Sequence, residues 1–298
     1  MAPMTGVVDT SRSIDISRTQ DIGGKKVLVV GGTSGLGRAI AVEAAHRGAN
    51  VQVVGRSFKD EGVANLSFEK ADLSSMKEAK RIGETTNADL DVIVLTTGII
   101  AGSTRVESEE GLEMDMAVSY LSRLVILKYL VPRLNKSQNT RIFVMGFPGS
   151  APDNIRVDDL NSEKEYGGGF GWVHMNTVAG NESLVLDWAA KDKTNSYFGL
   201  NPGLIKTGIR QNTYDTAVMN FFGSIIEGML QLFAQTPEGY GKIMADLIFA
   251  EKLEEHSGIS FNPKGQPTLK SEIFAKDDDL AKTFVTKSES LLKEKAGV

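Results

Sequence analysis

Apolar positions along the chain fall into two recurring patterns. Short runs rich in β-branched residues occur at 26–30, 51–54, 66–69, 92–96, 141–145, 196–200 and 258–261. Runs of that length and composition predict buried strands. Between most of them lie longer segments with helical spacing, at 36–47, 75–85, 112–134, 174–190 and 237–253. The alternation predicts an α/β fold in a single domain, a doubly wound parallel sheet of about seven strands covered on both faces. No composition shift or long linker marks a second domain, so residues 25–298 read as one unit behind a polar, loosely ordered extension at 1–24. Two stretches exceed what a minimal connection needs. One, 147–171, contains Pro148, Pro152 and the run Gly167-Gly168-Gly169, and the other, 206–235, carries an apolar stretch from Ala217 to Phe233. Both follow strands at the edge where ligands bind in open α/β sheets, which makes them candidate substrate loops.

The first predicted strand runs straight into Gly31-Gly32-Thr33-Ser34-Gly35-Leu36-Gly37, and a helix follows. Gly31 permits the tight turn off the strand, Gly35 lets backbone approach a phosphate, and Gly37 lets the helix pack closely on the sheet. The exposed amides and the positive helix end then receive a diphosphate. A glycine motif alone is weak, but this one sits after a strand and before an amphipathic helix, the context that gives it meaning. The expected fold is therefore Rossmann-type, with Gly31, Thr33, Ser34, Gly35, Leu36 and Gly37 around the phosphates of a dinucleotide.

The spacing GxxxGxG resembles that of the short-chain dehydrogenase/reductase family, and the resemblance extends from about residue 25 to 265. Asp72-Leu73 looks like the family's adenine-contacting pair. Thr96-Thr97-Gly98 stands where the family has Asn-Ala-Gly. Pro202-Gly203 through Thr207 is similar to the segment that closes on the nicotinamide end, and Asp158-Asp159-Leu160-Asn161 is similar to the longer members resembling retinol dehydrogenases. Homo-oligomers through the helices at 112–134 and 174–190 are common in the resembled family, and the polar residues Asn181, Glu182 and Asp187 on the second leave that interface open here.

The second predicted strand leads into Gly55-Arg56-Ser57. An acidic residue there would hold a ribose 2′-hydroxyl and repel a 2′-phosphate, whereas Arg56 pairs with the phosphate and Ser57 adds a donor. NADP(H) is accordingly favoured over NAD(H), with Arg38 or Lys59 as further help.

The acid–base residues that the resemblance leads one to expect are missing. None of the six tyrosines, Tyr120, Tyr129, Tyr166, Tyr197, Tyr214 and Tyr240, is followed four residues later by Lys. Aligned on Leu186-Asp187-Trp188-Ala189, His174 falls at or beside the family's Tyr, and Thr177 or Val178 at its Lys. The fifth strand ends Met145-Gly146-Phe147 rather than Ser-Ser, and Ser119 takes the place of the family's Asn. His174 is the one group near the expected site that titrates near neutrality. It is the candidate proton donor, with Ser119 and Tyr120 as candidate hydrogen-bond donors. Phe147, Phe170 and Trp172 suggest an apolar substrate pocket.

Composition removes other chemistries. There is no cysteine, hence no disulfide and no thiolate site, and His46, His174 and His256 are too scattered to bind a metal together. A net charge of −5 offers no general attraction to nucleic acid. No apolar run is long enough to span a membrane and no secretory core opens the chain, so a cytoplasmic protein is expected. Three readings remain: an NADPH-dependent reductase of a small apolar carbonyl, imine or alkene with an altered proton source; a non-redox cyclase or isomerase on the same scaffold; and an inactive cofactor-binding regulator.

Overall fold

In a computed structural model of the chain, residues 6–100, 102–168, 171–203 and 236–298 are described. Five-residue runs such as Lys-Val-Leu-Val-Val at β1 (Lys26–Val30) cannot satisfy a helical period, and their β-branched side chains pack on a pleated surface from both sides. β1 lies between β2 (Asn50–Gly55) and β4 (Val92–Leu95). β3 (Leu66–Lys70) flanks β2, while β5 (Arg141–Met145), β6 (Ser196–Leu200), β7 (Ser260–Phe261) and β8 (Pro267–Thr268) continue beyond β4. The order β3-β2-β1-β4-β5-β6-β7-β8 reverses its direction of growth between β1 and β4, which opens a crevice at the carboxyl edge there.

The strands are parallel except β8, which pairs antiparallel with β7, so the sheet has eight strands against an expected seven or so. β8 is two residues long and begins with a proline, which leaves no alternation to read. Proline is tolerated at such an edge because no ladder donor is needed there.

Two apolar layers cover the sheet. On one face lie α1 (Gly35–His46) and α5 (Pro237–Ile248). On the other lie α2 (Met76–Thr85), α3 (114–130), α4 (Trp172–Lys191) and α7 (Leu280–Ala296), with the short α6 (Glu272–Lys276) preceding α7. Helix α3 is composite: Met114–Met116, a π-helical turn Ala117–Leu121, then Ser122–Leu130. A π turn inserts a residue, re-aims the side chains around it and often marks a functional site.

From residue 7 onward the amino-terminal extension is hydrogen-bonded to the domain. Val8 bridges to Thr268, Leu269 donates to the Val7 carbonyl at 2.8 Å, and Gln20 donates to Phe249 at 2.8 Å. This backbone pairing gives the 18–20 stretch and the β8 edge their partners, and polarity alone does not reveal it. At the other end α7 buries Phe284, Val285 and Leu292 in the same layer as α4. Together with α2 and the sheet it buries most of α3 and α4 within the chain.

Candidate active site

The glycine turn forms as its sequence requires. Gly31 has φ +86, and a Cβ there would stand 2.7 Å from the Thr97 amide nitrogen. Gly35 also has positive φ (55°). Ser34 caps α1 with extended backbone but no side-chain hydrogen bond, and no acid lies in the first turn. The helix therefore presents uncapped amides with no competing carboxylate, a cradle that fits a diphosphate. Thr33 is buried beneath it, against Gly55, while Leu36 is half-buried on the apolar layer.

At the end of β2, Arg56 and Ser57 are exposed, and Arg56 makes no ion pair among the described residues. Arg38 differs: its guanidinium forks onto Asp60 at 2.8 and 2.5 Å, so it is already engaged. Asp72 is exposed and folds its carboxylate back onto the Ser74 amide at 3.0 Å, with Leu73 buried beside it. Thr96 donates its hydroxyl to Val30 at 2.9 Å, locking β4 to β1 at the crevice, and Thr97 and Gly98 follow. Pro202 and Gly203 are buried after β6, and the Gly203 amide donates to Asn201 Oδ1 at 2.9 Å. Thr207, Phe170 and the loop at 206–235 lie outside the described residues. The cofactor candidates within them thus line one edge, the carboxyl ends of β1, β2, β3, β4 and β6.

The second half of that edge is built from buried side chains. His174, in the first turn of α4, is 7% exposed, and its Nδ1 lies 2.8 Å from Asp115 Oδ2. Asp115 is fully buried at the start of α3. Its other oxygen accepts a 2.5 Å hydrogen bond from Ser119 Oγ, which in turn accepts from the Ile99 amide at 3.0 Å, just past Gly98. Asn181 on α4 donates to the Ser119 carbonyl at 2.9 Å and accepts at 2.8 Å from Arg123. The Arg123 guanidinium also donates to the carbonyls of Thr97 and Met145. His174, Asp115, Ser119, Asn181 and Arg123 form one continuous network between α3, α4 and the ends of β4 and β5.

Burial opposes the imidazolium of His174, yet the Asp115 carboxylate, by charge and hydrogen bond, and the Glu113 charge raise its pKa on balance. Glu113 is itself pushed up to about 7, chiefly by burial and further by the Asp115 charge, although the Met116 amide that it caps at 2.7 Å pulls the other way. Tyr166, from the loop after β5, donates to the Gly102 carbonyl at 3.2 Å and reaches Glu113 at 3.5 Å. The same loop is pinned by Gly149 and Ala151, whose amides donate to Glu182 (3.1 Å) and Ser271 (2.8 Å). Trp172 is stacked under the Arg156 guanidinium, 4.1 Å from the ring centre, so one of its faces is covered.

Tyr120 is a correction. It does not face the cleft: it is fully buried, packed edge-on against Phe284, and a Cβ on Gly180 would stand 2.9 Å from its ring. Ser119 and Tyr120 are adjacent on the π turn and point in different directions, so only Ser119 reaches the network. Asp115, Arg123, Asn181, Glu113 and Tyr166 were not singled out from the sequence. A signal existed for two of them: Asp115, Ser119 and Arg123 recur at every fourth position of an otherwise apolar helix.

Two surface cavities, of about 180 and 490 Å³, open at the opposite, amino-terminal edge of the strands and contain none of these groups. Ligands of this sheet type bind at the carboxyl edge, where the chemistry is concentrated. Among the described residues no cluster could hold a metal, and no helix is long and apolar enough to cross a membrane.

Residues 25–147 match the sequence model of a family described as short chain dehydrogenase. An uncharacterized oxidoreductase of Saccharomyces cerevisiae is 43% identical over 281 residues, covering 91% of this chain and 88% of the yeast protein. Among solved structures, an uncharacterized protein of Mycobacterium paratuberculosis is similar with a TM-score of 0.67 at 18% identity, covering 95% of this chain and 98% of that one. A short chain dehydrogenase of Shigella flexneri complexed with NADP has a TM-score of 0.58 at 16% identity, covering 82% and 99%. At those identities the two structures speak to fold.

Proposed function

Because the chain belongs to the short-chain dehydrogenase/reductase family, we propose that it is an NADP(H)-dependent reductase in which the buried Asp115–His174 pair supplies the proton. The observation that carries this reading is the 2.8 Å contact between the two, made where α3 and α4 meet the carboxyl edge of the sheet. The uncapped amides of α1 would hold the diphosphate, with Gly31, Thr33, Ser34, Gly35, Leu36 and Gly37 shaping the turn. Arg56 and Ser57 would take the 2′-phosphate, since Arg38 is committed to Asp60. Asp72 and Leu73 would border the adenine, and Thr96, Thr97, Gly98, Pro202, Gly203 and Thr207 the nicotinamide half. A Shigella relative in fold holds NADP, and the free guanidinium at Arg56 supports the same choice here.

When bound, the reduced dinucleotide supplies the hydride. The chain's own residues do the rest. Asp115 holds the ring by Nδ1 and sets its charge, and Nε2 would be the atom that gives up the proton. Ser119, tied to Asp115 and Ile99, holds the carboxylate in place. The substrate class that suits such a site is a small apolar carbonyl, imine or activated alkene, with Phe147 and Trp172 at its border. NADPH consumption measured against a panel of such compounds tests this. Turnover with at least one is expected. Rearranged products formed without loss of NADPH would favour a cyclase or isomerase instead, and binding without turnover a regulator.

A further inference from the structure

Arg123 is the least economical residue of the network. Arg123 is 3% exposed on a largely apolar helix, and its guanidinium is held by two strand-end carbonyls and Asn181, with no carboxylate bonded to it among the described residues. Its Nε has no hydrogen-bond partner among the described residues, and neither has the hydroxyl of Thr97 beside it. Burying a cation whose hydrogen bonds go to neutral groups is costly, and a neutral side chain could satisfy the same carbonyls. Burial pulls the guanidinium down to about 9, with the Asp115 charge opposing, so it remains a cation at neutral pH. Asp115, whose charge reaches the guanidinium, is bonded to His174 and Ser119 instead, and Glu113 lies within reach of the Tyr166 hydroxyl. The Arg123 guanidinium thus stands as a positive charge with no carboxylate bonded to it among the described residues.

That charge sits 3.9 Å from where a Cβ of Gly98 would be, at the carboxyl end of β4. β4 opens the second mononucleotide-binding half of this sheet, the half that takes the nicotinamide. The oxidised nicotinamide ring is a cation and the reduced ring is neutral. The diphosphate, the 2′-phosphate and the adenosine are the same in both forms, so their contribution cancels when the two are compared.

We infer that Arg123 is a specificity-determining residue, a fixed positive charge beneath the nicotinamide seat that makes the protein hold NADPH more tightly than NADP+. The inference rests on the cofactor reading above and adds a direction to it: the site is biased toward reduction. Like charges a few ångströms apart in a protein interior repel by an amount equal to about tenfold in affinity or more.

Titration calorimetry of the full chain with NADPH and with NADP+ at pH 7 and low salt decides it. NADPH is expected to bind at least about tenfold more tightly. Arg123→Gln keeps an amide donor for the strand carbonyls but no charge, and the two affinities should come within about threefold. Arg123→Lys should retain a preference. Asn181→Asp places a carboxylate on the guanidinium and should shrink the preference with Arg123 still present, which serves if Arg123→Gln does not fold. Equal affinities in the wild type, or an undiminished preference in Arg123→Gln or Asn181→Asp, would overturn the inference while leaving the cofactor reading intact. Failure of the wild type to bind either form would remove the cofactor reading itself.

Discussion

The two halves of the crevice are made of different material. On the β1–β3 side the candidate site is backbone: a turn that only glycine allows at Gly31, a helix end left uncapped at Ser34, and beside them the Arg56 guanidinium, which makes no ion pair among the described residues. On the β4–β6 side it is side chain: five polar groups from two helices, buried and bonded to one another. Backbone sites depend on local geometry and fail sterically. Side-chain networks depend on tertiary packing and fail electrostatically, one proton or charge at a time. Damage to the first half should therefore abolish binding, and damage to the second should change the chemistry while binding survives.

The largest separation is expected from His174→Ala. Turnover should fall by about 10²–10⁴-fold, the usual worth of a positioned acid, while NADPH affinity measured by calorimetry stays within about twofold. A matching loss of affinity would mean that the network belongs to the binding half. Next in size is Arg56→Ala. Loss of a charge-assisted pair with the 2′-phosphate should weaken NADPH by about 10–100-fold and leave NADH nearly unchanged. Equal losses for both nucleotides would place Arg56 over the adenine and away from a phosphate.

A smaller effect distinguishes the halves without any ligand. Glu113 has its carboxyl raised from an ordinary 4.5 to about 7 in the folded chain. Between those values the folded state binds more protons than the unfolded state, so stability falls as pH rises from about 4.5 to 7 and levels off above. His174, also raised, adds a loss of the same sign as pH climbs through its folded value. The Glu113 contribution is about 3 kcal/mol at most, or several degrees in Tm. Glu113→Gln should flatten the Tm profile between pH 5 and 7, whereas Arg56→Ala should leave its shape alone. A wild-type Tm that rises over this range would contradict the burial of Glu113.

The same contrast explains what the sequence shows of each half. Gly31, Gly35 and Gly37 announce a phosphate turn because the requirement is local: positive φ and close approach within seven residues. The alternation of strands and helices likewise anticipates the sheet and its two layers. The contact of His174 with Asp115 spans 59 residues and that of Arg123 with Asn181 spans 58, so no spacing rule reveals them. Asp115 and Arg123 are visible only as interruptions of an apolar helix, and the π turn at Ala117–Leu121 shifts which neighbours share a face. Tyr120 shows the cost of that: beside Ser119 in sequence, it belongs to the core under Phe284. Strand β8 and the pairing of residues 7–20 escape for a related reason, since edge pairing uses backbone groups that any sequence has.

The central claim is that the Asp115–His174 pair supplies the proton, and its most direct test is the pH dependence of NADPH consumption in the wild type and in Asp115→Asn. With Asp115 present the imidazole is held above its ordinary pKa, so the wild-type rate should fall at a pH above that of an unassisted imidazole. In Asp115→Asn the largest force opposing burial is gone and only the Glu113 charge still favours the imidazolium, so the fall should move to lower pH. Superimposable profiles would show that the proton comes from elsewhere.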